Sequence, residues 1–200
     1  MLRLHDYLES GNGYKVRLLL TQLGVPFERI EHDILRGETR TPAYLALNPN
    51  GRIPLLELDD GSCLAESNAI QWYLAEGTPF LPSERLLRAR VLQWLFFEQY
   101  SHEPYIAVLR FWTHAGTLAD HEAEIAGRRA SGNAALAVME NHLAECTWFV
   151  GDAYSIADIA LYAYTHVAPE GGIELTPYPA VLRWLDRVRG VPGHIPIDRV

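Results

Sequence analysis

The apolar periodicity of this chain changes character once, and the change falls at a loop. Up to about residue 77, alternating stretches interleave with helical ones. Beyond Gly77-Thr78-Pro79-Phe80-Leu81-Pro82-Ser83, a run with two prolines, the pattern is helical throughout. Leu2-Arg3-Leu4-His5-Asp6-Tyr7 alternates as a half-buried strand does. Tyr14 to Leu23 then sets Val16, Leu19, Leu20 and Leu23 on one helical stripe. Gly24-Val25-Pro26 ends that helix, and residues 27–34 alternate again. Thr41-Pro42 offers an N-cap with proline in the first helical position, opening a short helix that stops before Asn48-Pro49-Asn50-Gly51. Asp59-Asp60-Gly61 is a tight turn between a strand over 53–58 and a short returning strand over 62–64, and Ser67 is suited to cap a third helix ending before Gly77. The order β-α-β-α-β-β-α predicts a complete small α/β domain over 1–77, a linker over 78–84 and an all-helical domain over 85–200.

Within the second domain an aromatic-rich helix is expected from about Glu84 to His114, kinked at Pro104, where proline removes a backbone hydrogen bond. A second helix is expected over about 118–146, with Gly127 and Gly132 weakening its middle. A third begins at Ser155 and a fourth runs over about 179–188. Ser155-Ile156-Ala157-Asp158 reads as a capping box flanked by Tyr154 and Ile159, which makes it a folding signal.

Composition excludes several function classes. A chain of 200 residues with 48% hydrophobic content fills one substantial core or two modest ones. Its apolar runs fall far short of the roughly 20 residues of a membrane span, and the N-terminus lacks the basic-then-apolar pattern of a secretory leader, so a cytoplasmic protein with no membrane partner is expected. A formal net charge of −8 argues against a nucleic-acid partner, because phosphate binding needs a dense positive surface. Cys63 and Cys146 stand apart, with no CxxC and no zinc spacing. They are expected to be two buried, reduced thiols, with no disulfide and no metal site.

Three short motifs bear on chemistry. Ser10-Gly11-Asn12-Gly13 lies where the first strand hands over to the first helix, a junction at which unpaired backbone N–H groups and the helix dipole favour an anion. The anion that suits a hydroxyl and an amide there is a thiolate. A free thiol with a pKa of about 8.5 is only a few per cent ionised at pH 7, and a two-unit shift needs about 2.7 kcal/mol. A hydroxyl hydrogen bond to the charged sulfur contributes about 1.5–3 kcal/mol and the helix terminus about 0.3–1, which together suffice. Ile53-Pro54 opens a strand and is compatible with a cis peptide that turns the Ile53 N–H and C=O outward to pair with an extended peptide. At Glu66-Ser67 the residue three beyond Ser67 is Ile70, so that helix start is not closed by its own sequence. A carboxylate can dock there while Glu66 takes an ammonium, which together match the two ends of an α-amino acid. Taken singly, each motif is also compatible with an ordinary turn, strand start or cap.

Together with the layout, Ser10-Gly11-Asn12, Asn48-Pro49-Asn50-Gly51-Arg52-Ile53-Pro54, Glu66-Ser67-Asn68-Ala69-Ile70 and the capping box resemble a cytosolic glutathione S-transferase, in particular bacterial members with a Ser or Thr and a nearby Asn facing the sulfur. The resemblance covers essentially the whole chain. It implies a thioredoxin-like N-terminal domain, an all-helical C-terminal domain, a homodimer, and glutathione as co-substrate without a metal. It makes Ser10 and Asn12 the catalytic pair, Ile53-Pro54 the backbone clamp on the cysteinyl part, and Glu66 and Ser67 the γ-glutamyl grip. Arg52, ahead of Arg40, becomes the candidate for the glycyl carboxylate. Tyr7 is the rival to Ser10, since other branches of the family use a first-strand tyrosine. A small hydrophobic electrophile is expected between the domains, with Tyr7, His102, Tyr105, Phe111, Trp112 and Tyr162 as candidate contacts. The activity implied is a detoxifying conjugation. Glutathione-dependent disulfide reduction is the alternative enzyme, and a non-enzymatic binding or regulatory module on the same fold is the alternative without turnover. A cysteine at the sulfur-facing position, as in glutaredoxin-like members, is absent.

Overall fold

The computed structural model describes residues 1–199. The chain divides into two units, one made of residues 1–76 together with the tail from Pro192, the other of Gly77–Val191.

In the first unit β1 (Leu2–Asp6), α1 (Gly11–Leu23), β2 (Phe27–Glu31), α2 (Pro42–Leu47), β3 (Leu55–Glu57), β4 (Cys63–Ala65) and α3 (Ser67–Ala75) follow the expected order. β2 stops at Glu31, short of the 27–34 expected as strand, and two single 3₁₀ turns, Ile34–Arg36 and Glu38–Arg40, follow it. The sheet order is β2-β1-β3-β4. β1 pairs parallel with β2, Leu4 opposite Arg29, and antiparallel with β3, Leu4 opposite Leu56, while β3 pairs antiparallel with β4, Leu56 opposite Leu64. Alternation sends Leu4 and Leu56 to the sheet face covered by α1 and α3, where they close a core with Val16, Leu20 and Ile70. Each such side chain contributes about 1.5–3 kcal/mol by leaving water. Gly24 ends α1 in the left-handed region at φ 65°, which is why the helical stripe stops there.

The tail belongs to this unit, not to the helical domain to which 85–200 assigned it. Arg17 on α1 donates to the carbonyls of Ile197 (2.9 Å) and Arg199 (2.5 Å), and Tyr14 Oη donates to the carbonyl of Ile195 (2.6 Å). These are long-range contacts with no local sequence signature.

The second unit holds α4 (Arg85–Phe97), α5 (Glu103–His114), α6 (Glu122–Glu145), α7 (Ile156–Thr165) and α8 (Pro179–Arg189). The expected kink is a π-helical segment, Glu98–His102, immediately before Pro104, which occupies the first turn of α5 where its missing N–H costs nothing. A 3₁₀ turn, Leu118–His121, precedes α6. Gly132 does not weaken α6: a Cβ there would come within 2.7 Å of Ile173 Cδ1 and 3.3 Å of Ile106 Cγ1, so the glycine permits a close approach of α5. The capping box forms as read. Ser155 Oγ accepts from the Ala157 N–H, and Asp158 Oδ2 accepts from the Ser155 N–H at 3.0 Å. Asp158 Oδ1 also accepts from Trp184 Nε1 at 3.0 Å and from the Phe149 N–H at 3.2 Å, which ties α7 to α8.

Both cysteines are exposed, correcting the expectation of buried thiols. Cys63 lies on β4, the edge strand, and Cys146 caps the end of α6, so neither position faces a core. Among the described residues no helix is long and apolar enough to cross a membrane, and no His, Cys, Asp and Glu cluster is suited to a metal ion.

Candidate functional site

The turn after β1 is built by hydrogen bonds that the sequence dictates locally. The Ser10 N–H donates to the Tyr7 carbonyl at 2.8 Å, and Ser10 then takes an extended conformation and caps α1, its Oγ accepting from the Gly13 N–H at 3.2 Å. Capping uses a lone pair on the hydroxyl oxygen and leaves its hydrogen to donate elsewhere. Gly13 is required by close approach: a Cβ there would lie 1.6 Å from Asp6 Oδ1.

Asp6 is buried at the end of β1 and paired with Arg17, Nε to Oδ2 2.8 Å, with neither side chain reaching solvent. Burial pushes the Asp6 carboxyl up to about 6 against the opposing pull of Arg17. Arg17 also donates to the Leu8 carbonyl at 2.6 Å, so one guanidinium holds the strand end, the turn and the tail together. Sequence reasoning assigns Arg17 no such role, because its partners are a carboxylate and backbone carbonyls that no local motif marks.

Asn12 and Ser67 meet although 55 residues separate them. Ser67 Oγ donates to Asn12 Oδ1 at 3.0 Å, and Lys15 Nζ donates to the same oxygen at 2.8 Å and to Ser67 Oγ at 3.5 Å. Lys15 is fully buried, and the sequence reading assigned it no part in the site. The available signal was its position three residues beyond Asn12, one helical turn along the same face.

Ser67 is the first residue of α3, not its cap. Glu66 occupies the cap position without a side-chain capping bond, and it is the only non-glycine residue with positive φ among the described residues, at φ 71° and ψ 112°. Such a conformation is strained for a residue with a Cβ and is found preferentially at ligand sites. Ser67 is nearly buried while Glu66 is exposed.

The Ile53-Pro54 peptide is cis, and the β3 ladder begins only at Leu55, so Ile53 lies outside it. The loop before it is pinned on the Arg52 carbonyl, which accepts from Tyr44 Oη at 2.7 Å and Asn48 Nδ2 at 2.8 Å. Burial raises the Tyr44 phenol to about 12, so it stays a donor, and its ring packs edge-on to His5 and His32. Arg40 lies across Gly51, donating to the Asn50 carbonyl at 3.0 Å, and both Arg40 and Arg52 are exposed. The first unit thus brings Ser10, Asn12 and Ser67 together with Glu66 beside them, and holds Arg52, Ile53 and Pro54 on one braced loop.

The residues read as second-substrate contacts fall in both units. Tyr7 is half-buried in the turn of the first unit. In the second unit His102 is fully buried, its Nε2 2.8 Å from Thr165 Oγ1, and Tyr162 is a core side chain stacked on His166. Trp112 stacks on His121 with ring centroids 3.8 Å apart and lies under Arg128. Tyr105 is half-buried, and Phe111 is exposed.

Comparison with known proteins adds to this geometry. Residues 10–76 match the model of the glutathione S-transferase N-terminal domain, and residues 94–192 match that of the glutathione S-transferase C-terminal domain. The chain is 31% identical to a maleylacetoacetate isomerase of Pseudomonas aeruginosa over 96% of this chain and 93% of that protein. It is 33% identical to the disulfide-bond oxidoreductase YfcG of Escherichia coli over 94% and 90% respectively. Among solved structures, a glutathione S-transferase from Pseudomonas fluorescens superposes with a TM-score of 0.96 at 53% identity, covering 98% of each chain. Ure2p in complex with S-hexylglutathione superposes at 0.87 with 25% identity, covering 99% of this chain and 98% of that one.

Proposed function

The chain belongs to the glutathione S-transferase family, and on that footing we propose that it binds glutathione as the thiolate and transfers it to a small hydrophobic electrophile. One observation carries this reading: the Ser67 hydroxyl donates to Asn12 Oδ1 at 3.0 Å, so the sulfur-facing turn and the γ-glutamyl grip adjoin within one unit. The complex of Ure2p with S-hexylglutathione supports glutathione as the ligand class.

In this reading the Ser10 hydroxyl donates to the sulfur and Asn12 supplies a second donor. Ile53, presented by the cis bond to Pro54, pairs with the cysteinyl backbone. Glu66 takes the γ-glutamyl ammonium, and the backbone N–H groups of the first turn of α3, which begins at Ser67, take its carboxylate. Arg52 is preferred for the glycyl carboxylate, because the guanidinium of Arg40 is engaged by the Asn50 carbonyl. The thiol proton leaves to solvent, and the sulfur lone pair forms the new C–S bond while the bonding pair of the electrophile departs with its leaving group. Catalysis then consists of positioning and anion stabilisation. A homodimer fits the exposed Leu92 and Phe96, one turn apart on α4, and Tyr100 beyond them. Detoxification in the cytoplasm, where glutathione is kept reduced, is the setting proposed.

Glutathione-dependent disulfide reduction is the second reading, favoured by the similarity to YfcG. Calorimetric titration with reduced and, separately, oxidised glutathione at neutral pH separates them. Saturable binding that prefers the reduced form is expected for the transferase. Preference for the oxidised form assigns disulfide reduction, and no binding of either leaves a non-enzymatic module.

A further inference from the structure

We infer that Lys15 is the positioning residue that decides which end of the Asn12 amide faces the bound sulfur, an inference that rests on the glutathione reading of this site. Lys15 is the only lysine in the chain, and its side chain is fully buried. A buried ammonium needs acceptors, and it has three donors and no acceptor of its own. Two of its partners are oxygens, Asn12 Oδ1 at 2.8 Å and Ser67 Oγ at 3.5 Å. The Ser67 hydroxyl donates to Asn12 Oδ1 as well, at 3.0 Å.

Two donors therefore converge on one amide oxygen. Turning the amide over would set its NH2 against the ammonium and the hydroxyl hydrogen and remove the acceptor that both use. The oxygen is held toward Lys15, and the nitrogen points to the opposite side. That choice matters for an anion: an amide N–H attracts a thiolate, and an amide oxygen repels it. Lys15 acts through Asn12, and the shared contact with Ser67 ties the orientation of the sulfur-facing amide to the residue at the γ-glutamyl end.

The test uses the full chain with reduced glutathione, reading the pKa of the bound thiol from the ultraviolet absorbance of the thiolate and the affinity by calorimetry. Lys15→Met is expected to raise the thiol pKa by about one unit, a tenfold loss of thiolate at a pH below both values. Lys15→Arg, also a donor-only cation, is expected to restore most of it. In an Asn12→Ala background, adding Lys15→Met is expected to change the thiol pKa no further, because a residue that acts through Asn12 has nothing left to orient. An unchanged pKa in Lys15→Met overturns the inference. An equal shift in the Asn12→Ala background also overturns it, by making Lys15 a direct charge on the sulfur. If Lys15→Met does not fold, Lys15→Gln carries the same test, since its amide offers either end to Asn12 and a pKa rise is again expected. Absence of glutathione binding by the unaltered chain removes the premise and the inference with it, and that result is read before any variant is made.

Discussion

At Ser10 one hydroxyl has two ends: its oxygen caps α1, and its hydrogen is the donor to the sulfur in the proposed reading. Ser10→Ala is expected to raise the pKa of bound glutathione while leaving its affinity nearly intact, with a loss of about 1 kcal/mol in stability from the missing cap. Thiolate absorbance and turnover check this, and Tyr7→Phe serves as the contrast. Unchanged turnover in the serine variant with a loss in the tyrosine variant would assign the thiol to Tyr7. Glu66 presents the reverse trade. Glu66→Gly relieves the positive φ and is expected to raise stability by about 1 kcal/mol in thermal unfolding while weakening glutathione binding in calorimetry. At Gly13, where a Cβ would meet Asp6 at 1.6 Å, Gly13→Ala is expected to destabilise the first unit by several kcal/mol in urea titration.

Helix starts show which elements are legible in sequence and which are not. The capping box at Ser155 was legible because donor and acceptor lie within four residues, so local chemistry determines it. What the sequence did not disclose is that Asp158 also accepts from Trp184 and is wholly buried, which pushes its carboxyl up to about 6. A carboxyl with a raised folded-state pKa contributes stability that is complete below the unfolded value of about 4 and is lost as pH rises through about 6. The two-unit displacement corresponds to about 3 kcal/mol. Urea midpoints of the wild-type chain relative to Asp158→Asn are therefore expected to fall between about pH 4 and pH 6 and to run parallel above. The start of α3 was legible only in part. Its position followed from periodicity, but Ser67 proved to be its first residue rather than its cap, because its hydroxyl is drawn to Asn12 on another helix.

For the whole molecule, the division near residue 77 was readable because proline-rich loop chemistry and a change of periodicity coincide there. The return of the tail to the first unit was not readable. It depends on Arg17 and Tyr14 finding backbone carbonyls about 180 residues away, and carbonyls carry no sequence signature. The buried setting of Arg17 was hidden for the same reason, and that of Lys15 in part, since its contact with Asn12 is local but that with Ser67 is remote in sequence. Deleting residues 192–200 is expected to remove two acceptors from Arg17 and open its guanidinium to water. Amide hydrogen exchange should then quicken in α1 and in the turn at Ser10, with smaller changes in α6 and α7.

The docked tail also orders the birth of the protein. On the ribosome, β1 and α1 emerge before the second unit, yet the carbonyls that Arg17 holds leave the exit tunnel only after every helix of that unit has been made. The turn that carries Ser10 therefore reaches its final bracing only after the second unit has been made.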